Sequence, residues 1–407
     1  MGGPLIDPQA AEWLDLLLRW LHITTGAAWI GTSFYFNWLN NHVRPPDEAR
    51  PGVAGELWAV HGGAFYQVNK FAVAPERLPR TLHWFKWEAY FTWISGFCLL
   101  VLIYYLGGDA WLLDVSDPAL SKPAAVALGI GTLVVGWFVY DALCRSPLVD
   151  RPVLFAVVGF ALAAGAALLL TRYLGSRAAY IHVGAMLGTL MAANVFRVII
   201  PGQRLMVEAM SRGVEPDPRP GLDGARRSLH NNYMTLPVLF IMVSNHYPMT
   251  YGHAWNWAIL AAIALIGAAV RHWFNLRGQG RRNAWILPAA AVAMVALALA
   301  AENWRSSDGV TAAGAGSGAP VVVAWPEVQA IVAARCVTCH SAAPASPLFA
   351  DAPAGVTFDT REEVEARLDR ILATAVDSRA MPLGNLTEMT DEERTRLGAW
   401  VRSRLAE

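Results

Sequence analysis

The chain has 407 residues, with 32 basic and 32 acidic side chains, so its zero net charge gives no reason to expect nucleic acid as a partner. Only 16% of residues are charged, 55% are hydrophobic, and mean hydropathy is +0.34. Soluble domains carry about a quarter charged residues, so this composition points away from a soluble globule and toward a chain embedded in membrane lipid.

Eight apolar runs approach the roughly 20 residues needed to cross a bilayer. In chain order they are 13–39, 84–106, 123–143, 152–170, 178–200, 233–247, 254–274 and 284–301. A backbone in lipid must satisfy its own hydrogen bonds, so each run is predicted to be a helix. The fold class expected is all-α: a polytopic membrane helix bundle over 1–302, a Gly/Ala/Ser linker at 303–322, and a small all-α domain at 323–407.

Loop charges predict the orientation. Arg44, Arg50, Lys70, Arg77 and Arg80 follow the first run, and Arg145 and Arg151 follow the third. Arg204, Arg212, Arg219, Arg226 and Arg227 follow the fifth, and Arg277, Arg281 and Arg282 follow the seventh. The alternate loops hold only Lys122, Arg172 and Arg177. Both termini are therefore expected on the periplasmic side of a bacterial inner membrane, with 40–82 and 201–231 cytoplasmic. The start has no basic stretch or A-x-A site, so no removable signal peptide is read there.

Ionisable groups within spans are costly and mark candidate sites. The first run carries His22, with Asp15 and Arg19 spaced to neutralise each other. His22 fits three roles: a hydrogen-bonded core residue, a haem b ligand or a substrate contact. The second run opens with His83, Lys86 and Glu88, of which Lys86 also suits simple snorkelling to the interface. The fifth run carries His182, Asn194 and Arg197, and the sixth is flanked by His230 and His246. Trp20-Leu21-His22-Ile23 and Tyr180-Ile181-His182-Val183 echo each other, as do Arg80-Thr81-Leu82-His83 and Arg227-Ser228-Leu229-His230. A duplicated four-helix unit would bring His22 and His182 together on one side, joined by His246, as haem b ligands. It would gather His83 and His230, with His61 and His272, on the other. Lys86, Glu88, Arg197 and Asn194 complete the candidate catalytic and substrate-binding set.

Cys336-Val337-Thr338-Cys339-His340 reads as a c-type haem attachment site. Two thiols bond to the porphyrin and the adjacent imidazole reaches the iron, so all three must lie close in sequence. A redox or structural C-x-x-C is the bland alternative. Met381, in a Pro- and Gly-containing loop, is the expected sixth ligand, with Met389 as rival. Thr390-Asp391-Glu392-Glu393 reads as a capping start for a last helix. This order resembles a small class I cytochrome c. No P-loop, G-x-G-x-x-G run, Ser-His-Asp arrangement or zinc-ligand spacing is present.

The whole chain resembles the bacterial membrane-bound urate oxidases (urate hydroxylases) with a fused C-terminal cytochrome c domain. The resemblance is carried by residues 20–34, 82–90, 194–203 and the cytochrome-like tail. The His22 and Lys86 segments also resemble the membrane protoporphyrinogen oxidases, which bind haem b. The first resemblance implies oxidation of urate with addition of water to give 5-hydroxyisourate. Electrons would leave through haem c to a soluble cytochrome c or terminal oxidase, without hydrogen peroxide. The alternative is an electron-relay module carrying electrons from quinol to cytochrome c.

Overall fold

The structure, a computed structural model, describes residues 5–71, 79, 81–115, 118–312 and 323–406, the side chains of 303–312 excepted. It is mostly helical. Helix α1 (Pro8–His42) begins where Pro8 loses nothing by lacking an N–H, and Asp7 accepts the Ala10 N–H at 3.0 Å. Its 35 residues extend about 52 Å, more than a hydrocarbon core requires. The remaining long helices of the bundle are α2 (Trp87–Leu100), α3 (Lys122–Arg145), α4 (Pro152–Tyr173) and α5 (Ser176–Asn194). They are followed by α6 (Ile200–Ser211), α7 (Arg219–Ser244), α8 (Asn256–Gly278) and α9 (Ile286–Ala312).

Five segments among the described residues are long and apolar enough to cross a membrane: Trp87–Tyr105, Lys122–Arg145, Pro152–Tyr173, Ser176–Ser211 and Asn256–Gly278. The other three expected spans fall in α1, α7 and α9. Asp15 and Arg19 lie near the start of the expected run in α1, whose remainder is diluted by Thr, Gly, Ser and Asn, and Arg226, Arg227, Asn231 and Asn232 precede the expected run in α7. The apolar part of α9, Ile286–Glu302, is shorter.

Two expectations are corrected. The chain is not wholly helical, because β1 (Val53–His61) and β2 (Ala64–Phe71) pair antiparallel, with His61 opposite Ala64. Gly62 and Gly63 both have positive φ (58° and 77°), the geometry of a two-residue turn whose twist suits the strands. The linker expected at 303–322 is helical through Ala312, since no proline interrupts an already nucleated helix. Its remainder, 313–322, lies outside the described residues.

α5 is the central element of the bundle, packing on α2, α3, α4 and α7. Both α2 and α5 end in π-helical turns, Val101–Tyr105 and Val195–Ile199, a widening that often accompanies functional sites. The core around α5 contains Tyr104, Tyr105, Leu170, Ala178, Tyr180 and Val183.

The C-terminal region has its own core, in which Val328, Val332, Val364, Leu397 and Val401 are fully or nearly fully buried. It is framed by α10 (Trp325–Arg335) and α11 (Asp391–Leu405). This region is seated against the bundle end that carries Leu106–Val115 and Pro248–Gly252. Val115 N–H donates to Gly384 O at 2.8 Å, Phe349 meets Trp111 edge-on at 6.1 Å, and Ala380 packs on the bundle core. Leu5 N–H bonds Leu106 O at 2.9 Å, so the start of α1 lies at this same end. The β-hairpin lies at the other end, following the close of α1, where Lys70 Nζ bonds Asn40 Oδ1 at 3.2 Å.

Candidate functional site

Two cavities adjoin inside the bundle, both walled by Trp29, Ile30, Met191 and Thr235. The hairpin-side cavity, of about 700 Å³, is lined by amides and hydroxyls that include Asn37, Asn40, Gln203, Ser228, Asn231 and Asn232. Phe36, Trp84 and Phe85 supply aromatic surface. The tail-side cavity, of about 600 Å³, is lined by Asp15, Arg19, His22, Arg177, Asn245 and His246 among mostly apolar neighbours.

Asn194, completely buried, is the centre of a polar network at the hairpin-side half. Its Oδ1 accepts from Arg227 Nη1 at 3.1 Å. Its Nδ2 donates to Tyr140 Oη at 2.9 Å and Asn231 Oδ1 at 2.8 Å. Arg227 also donates to Asp141 at 2.6 Å, and Asn231 Nδ2 donates to Met191 O at 3.0 Å. A buried guanidinium is thus neutralised by a carboxylate on α3, and the chain of bonds ends at a cavity wall. The sequence placed Arg227 among loop cations. In the structure it is an interior residue of α7, 5% exposed. The signal that reveals it is periodic: Gly224, Arg227, Asn231 and Thr235 recur at helical spacing and are all buried.

His22 and His182 stand in different surroundings, one at a cavity and one in the packed core. His22 lines the tail-side cavity and rests against Gly96, where an added Cβ would stand 2.8 Å from the ring. Its Nδ1 lies 2.9 Å from Thr92 O. A carbonyl only accepts, so in the neutral ring Nδ1 carries the proton and Nε2 is the lone-pair nitrogen. His182 is fully buried outside both cavities. Its Nδ1 donates to Ala178 O at 2.7 Å, and Nε2 accepts from Tyr105 Oη at 3.0 Å. Gly129 provides the space, since a Cβ there would come within 2.7 Å of both His182 and Tyr105. With its lone pair engaged by Tyr105, His182 is a satisfied core residue. His246 is exposed and lines the tail-side cavity with His22.

The other expected residues separate. His83 lines the hairpin-side cavity and meets Phe85 edge-on at 4.5 Å. Lys86 caps α2 and lies 5.3 Å over the Trp87 ring. Glu88 sits in the first turn of α2 with a buried Oε2 that has no hydrogen-bond partner among the described residues. His230 lines neither cavity. It stacks on Phe155 at 4.7 Å, and its Nδ1 lies 2.9 Å from Tyr140 Oη. Arg197 is exposed in the π turn after Asn194. His272 pairs with Tyr233 at 2.7 Å, and His61 ends β1.

In the C-terminal region, Cys336, Cys339 and His340 follow directly on α10. His340 Nδ1 lies 2.9 Å from Val356 O, the second bond that fixes a ligating imidazole with Nε2 presented to a metal. Burial pushes the Cys336 thiol up to about 12. Met381 is half-buried beside the same core, whereas Met389 is 3% exposed and integral to it. Cys336, Cys339 and His340 are adjacent in the chain, Cys336 and Met381 border the same core, and Met389 is packed within it, so the residue types present fit a haem c attached through two thiols with a His and a Met to ligate. Arg335 bridges to Glu393 at 3.0 Å, tying α10 to the capping box of α11.

The fold and the site define a polytopic helical bundle of bilayer-crossing length with a small helical region seated on one end. The chain belongs to the urate oxidase N-terminal family, whose model matches residues 8–302. No curated protein and no solved structure matches the chain. Membership makes it a urate oxidase-related oxidoreductase.

Two outcomes follow. Arg227→Met leaves the partly buried Asp141 with only the exposed Arg145 as partner, and is expected to cost about 3 kcal/mol in thermal or denaturant unfolding in detergent. Adding Asp141→Asn should restore part of it, and strictly additive losses would contradict the pairing. The second outcome concerns Glu393. Burial opposes its charge, but the Thr390 N–H and the Arg335 guanidinium outweigh that and hold its carboxyl below the usual range. A depressed folded value stabilises above the unfolded pKa and is lost as pH falls through the folded one. The C-terminal region should therefore loosen below the ordinary Glu range, and Glu393→Gln should blunt that acid sensitivity, read by circular dichroism of the full chain.

Proposed function

We propose that the bundle oxidises urate to 5-hydroxyisourate with water as oxygen source. Two electrons pass to a haem c in the C-terminal region and then to a soluble cytochrome c or terminal oxidase. The observation that carries this reading is the family match over the bundle, combined in one chain with a C-x-x-C-H region seated on the bundle's end. The balance is simple: urate monoanion and water give 5-hydroxyisourate, one proton and two electrons. Oxygen is not consumed at the site, so no hydrogen peroxide forms.

A haem c bound through Cys336 and Cys339 supplies one-electron transfer at a potential raised by a Met ligand. The chain's own residues do the rest. His340 and Met381 would hold the metal, and the Val356 carbonyl orients the His340 ring. His83 lines the hairpin-side cavity, and an imidazole there suits acceptance of the proton released as water adds. The amide walls orient a planar polar substrate. Trp111 joins the two regions, with Arg177 over its ring at 5.2 Å and Phe349 against its edge.

Two-electron chemistry beside a one-electron acceptor calls for a second carrier. The tail-side cavity suits a haem b there, with His22 as the fixed imidazole and His246 beside it. That cavity lies at the end of the bundle that bears the C-terminal region. The charge pattern supports an inner-membrane location with this end periplasmic, since Arg145, Arg151, Arg204, Arg212, Arg277, Arg281 and Arg282 lie at or beyond the opposite helix ends.

Turnover of urate in ¹⁸O-water under ordinary oxygen tests the chemistry. The product should carry the heavy label, and peroxide should stay at background. Label drawn from oxygen gas, with peroxide equal to urate consumed, would overturn the reading.

A further inference from the structure

Two guanidinium groups are buried in the hairpin-side half of the bundle, and they are provided for differently. Arg227 has Asp141. Arg271, on α8 and 7% exposed, donates from Nε to Asn232 Oδ1 at 2.8 Å and lies 4.1 Å from the centroid of the Phe34 ring. Among the described residues no carboxylate lies within ion-pair distance of it. A buried cation without a counter-ion is costly, and an aromatic face returns only part of that cost.

The amide it holds has an unmet demand of its own. Arginine only donates, so Asn232 must turn its oxygen to Arg271 and its NH₂ the other way. Asn232 is 3% exposed and lines the hairpin-side cavity, and its Nδ2 is buried without a hydrogen-bond partner among the described residues. Buried unpaired donors are rare and call for an explanation. Together the pair asks for negative charge and an acceptor atom at one cavity wall. In the tail-side cavity Arg19 has Asp15 at 2.7 Å, and Arg177, half-buried, donates to Asn245 Oδ1 at 3.1 Å, an amide whose NH₂ is not among the buried unpartnered groups.

We propose that the hairpin-side cavity is the urate-binding site, and that Asn232, polarised by Arg271, donates an N–H to a carbonyl or ring-nitrogen acceptor of the bound monoanion. This deepens the urate-oxidising reading and rests on it. A hydrogen bond accepted by the amide oxygen strengthens the NH₂ as donor, so Arg271 acts through Asn232 as a positioning residue. Trp84 and Phe36 offer faces to a flat ring, and Asn37, Asn40 and Gln203 offer amides to its polar edge. The volume of about 700 Å³ accommodates the substrate and the water that adds to it.

The test measures binding of labelled urate, without oxygen, to full-length protein pre-reduced in detergent micelles, so that bound urate is not consumed. Asn232→Asp removes the donor and supplies Arg271 with an internal counter-ion, so the wall no longer asks for an anion, and should weaken binding about tenfold or more. Ser228→Trp, which fills the same cavity from another wall, should do the same. In turnover, Arg271→Gln should raise KM with kcat little changed, as expected when uniform binding is lost, and Arg271→Lys should recover part of the effect. Variants that bind urate as the parent does, in a chain that still oxidises urate, overturn the site and leave the function standing. A parent that binds urate through Asn232 but never oxidises it supports the site and overturns the function. A parent that neither binds nor oxidises urate overturns both.

Discussion

Charge inside a lipid-embedded bundle must be answered within the protein, and this constraint organises the hairpin-side half of the molecule. A guanidinium buried there is withdrawn from bulk solvent, so each one needs a carboxylate, a set of amides or a ligand. Arg227 is fully answered by Asp141 and Asn194, and the bonds continue through Asn231 to the cavity wall. That network fixes the facing of α7 against α3 and α5. Arg271 is answered only by one amide and a ring face. The contrast between a satisfied cation and an unsatisfied one distinguishes structural from ligand-directed polarity within a single helix pair.

The other half of the molecule follows a different logic. In its cavity Asp15 pairs with Arg19, Arg177 is held by Asn245, and His22 is oriented by a backbone carbonyl. The C-terminal region sits on this end through Gly384, Phe349 and Ala380. Gly384 has φ 53° and approaches Ala110 and Leu113 so closely that a Cβ would stand 2.6 Å from a carbonyl oxygen. Glycine there allows the loop after Met381 to lie against the bundle. The arrangement separates a chamber carrying several amides from the end where the C-terminal region docks, with Trp29 and Met191 shared between the two cavities.

Local chemistry was the part most legible in the sequence. Thr390 with Glu393 forms the capping box their spacing implies, at the start of the last helix. Apolar runs located most of the bundle. Relations that depend on helix rotation were hidden. His22 and His182 share a local pattern, yet one faces a cavity and the other faces Tyr105, because neighbouring helices decide what a side chain meets. The polar face of α7 disguised a buried helix as a loop followed by a short span. The β-hairpin was missed because its strands are shorter than any bilayer-length run, although alternation and the Gly62-Gly63 turn were visible.

The account stands on electrons leaving urate in the bundle and arriving in the C-terminal region of the same molecule. Mixing oxidised, full-length protein with urate in the strict absence of oxygen and following haem c absorbance tests this directly. The account predicts reduction at a rate independent of protein concentration, with one urate consumed for every two electrons accepted. A haem c that stays oxidised while remaining reducible by dithionite would contradict it.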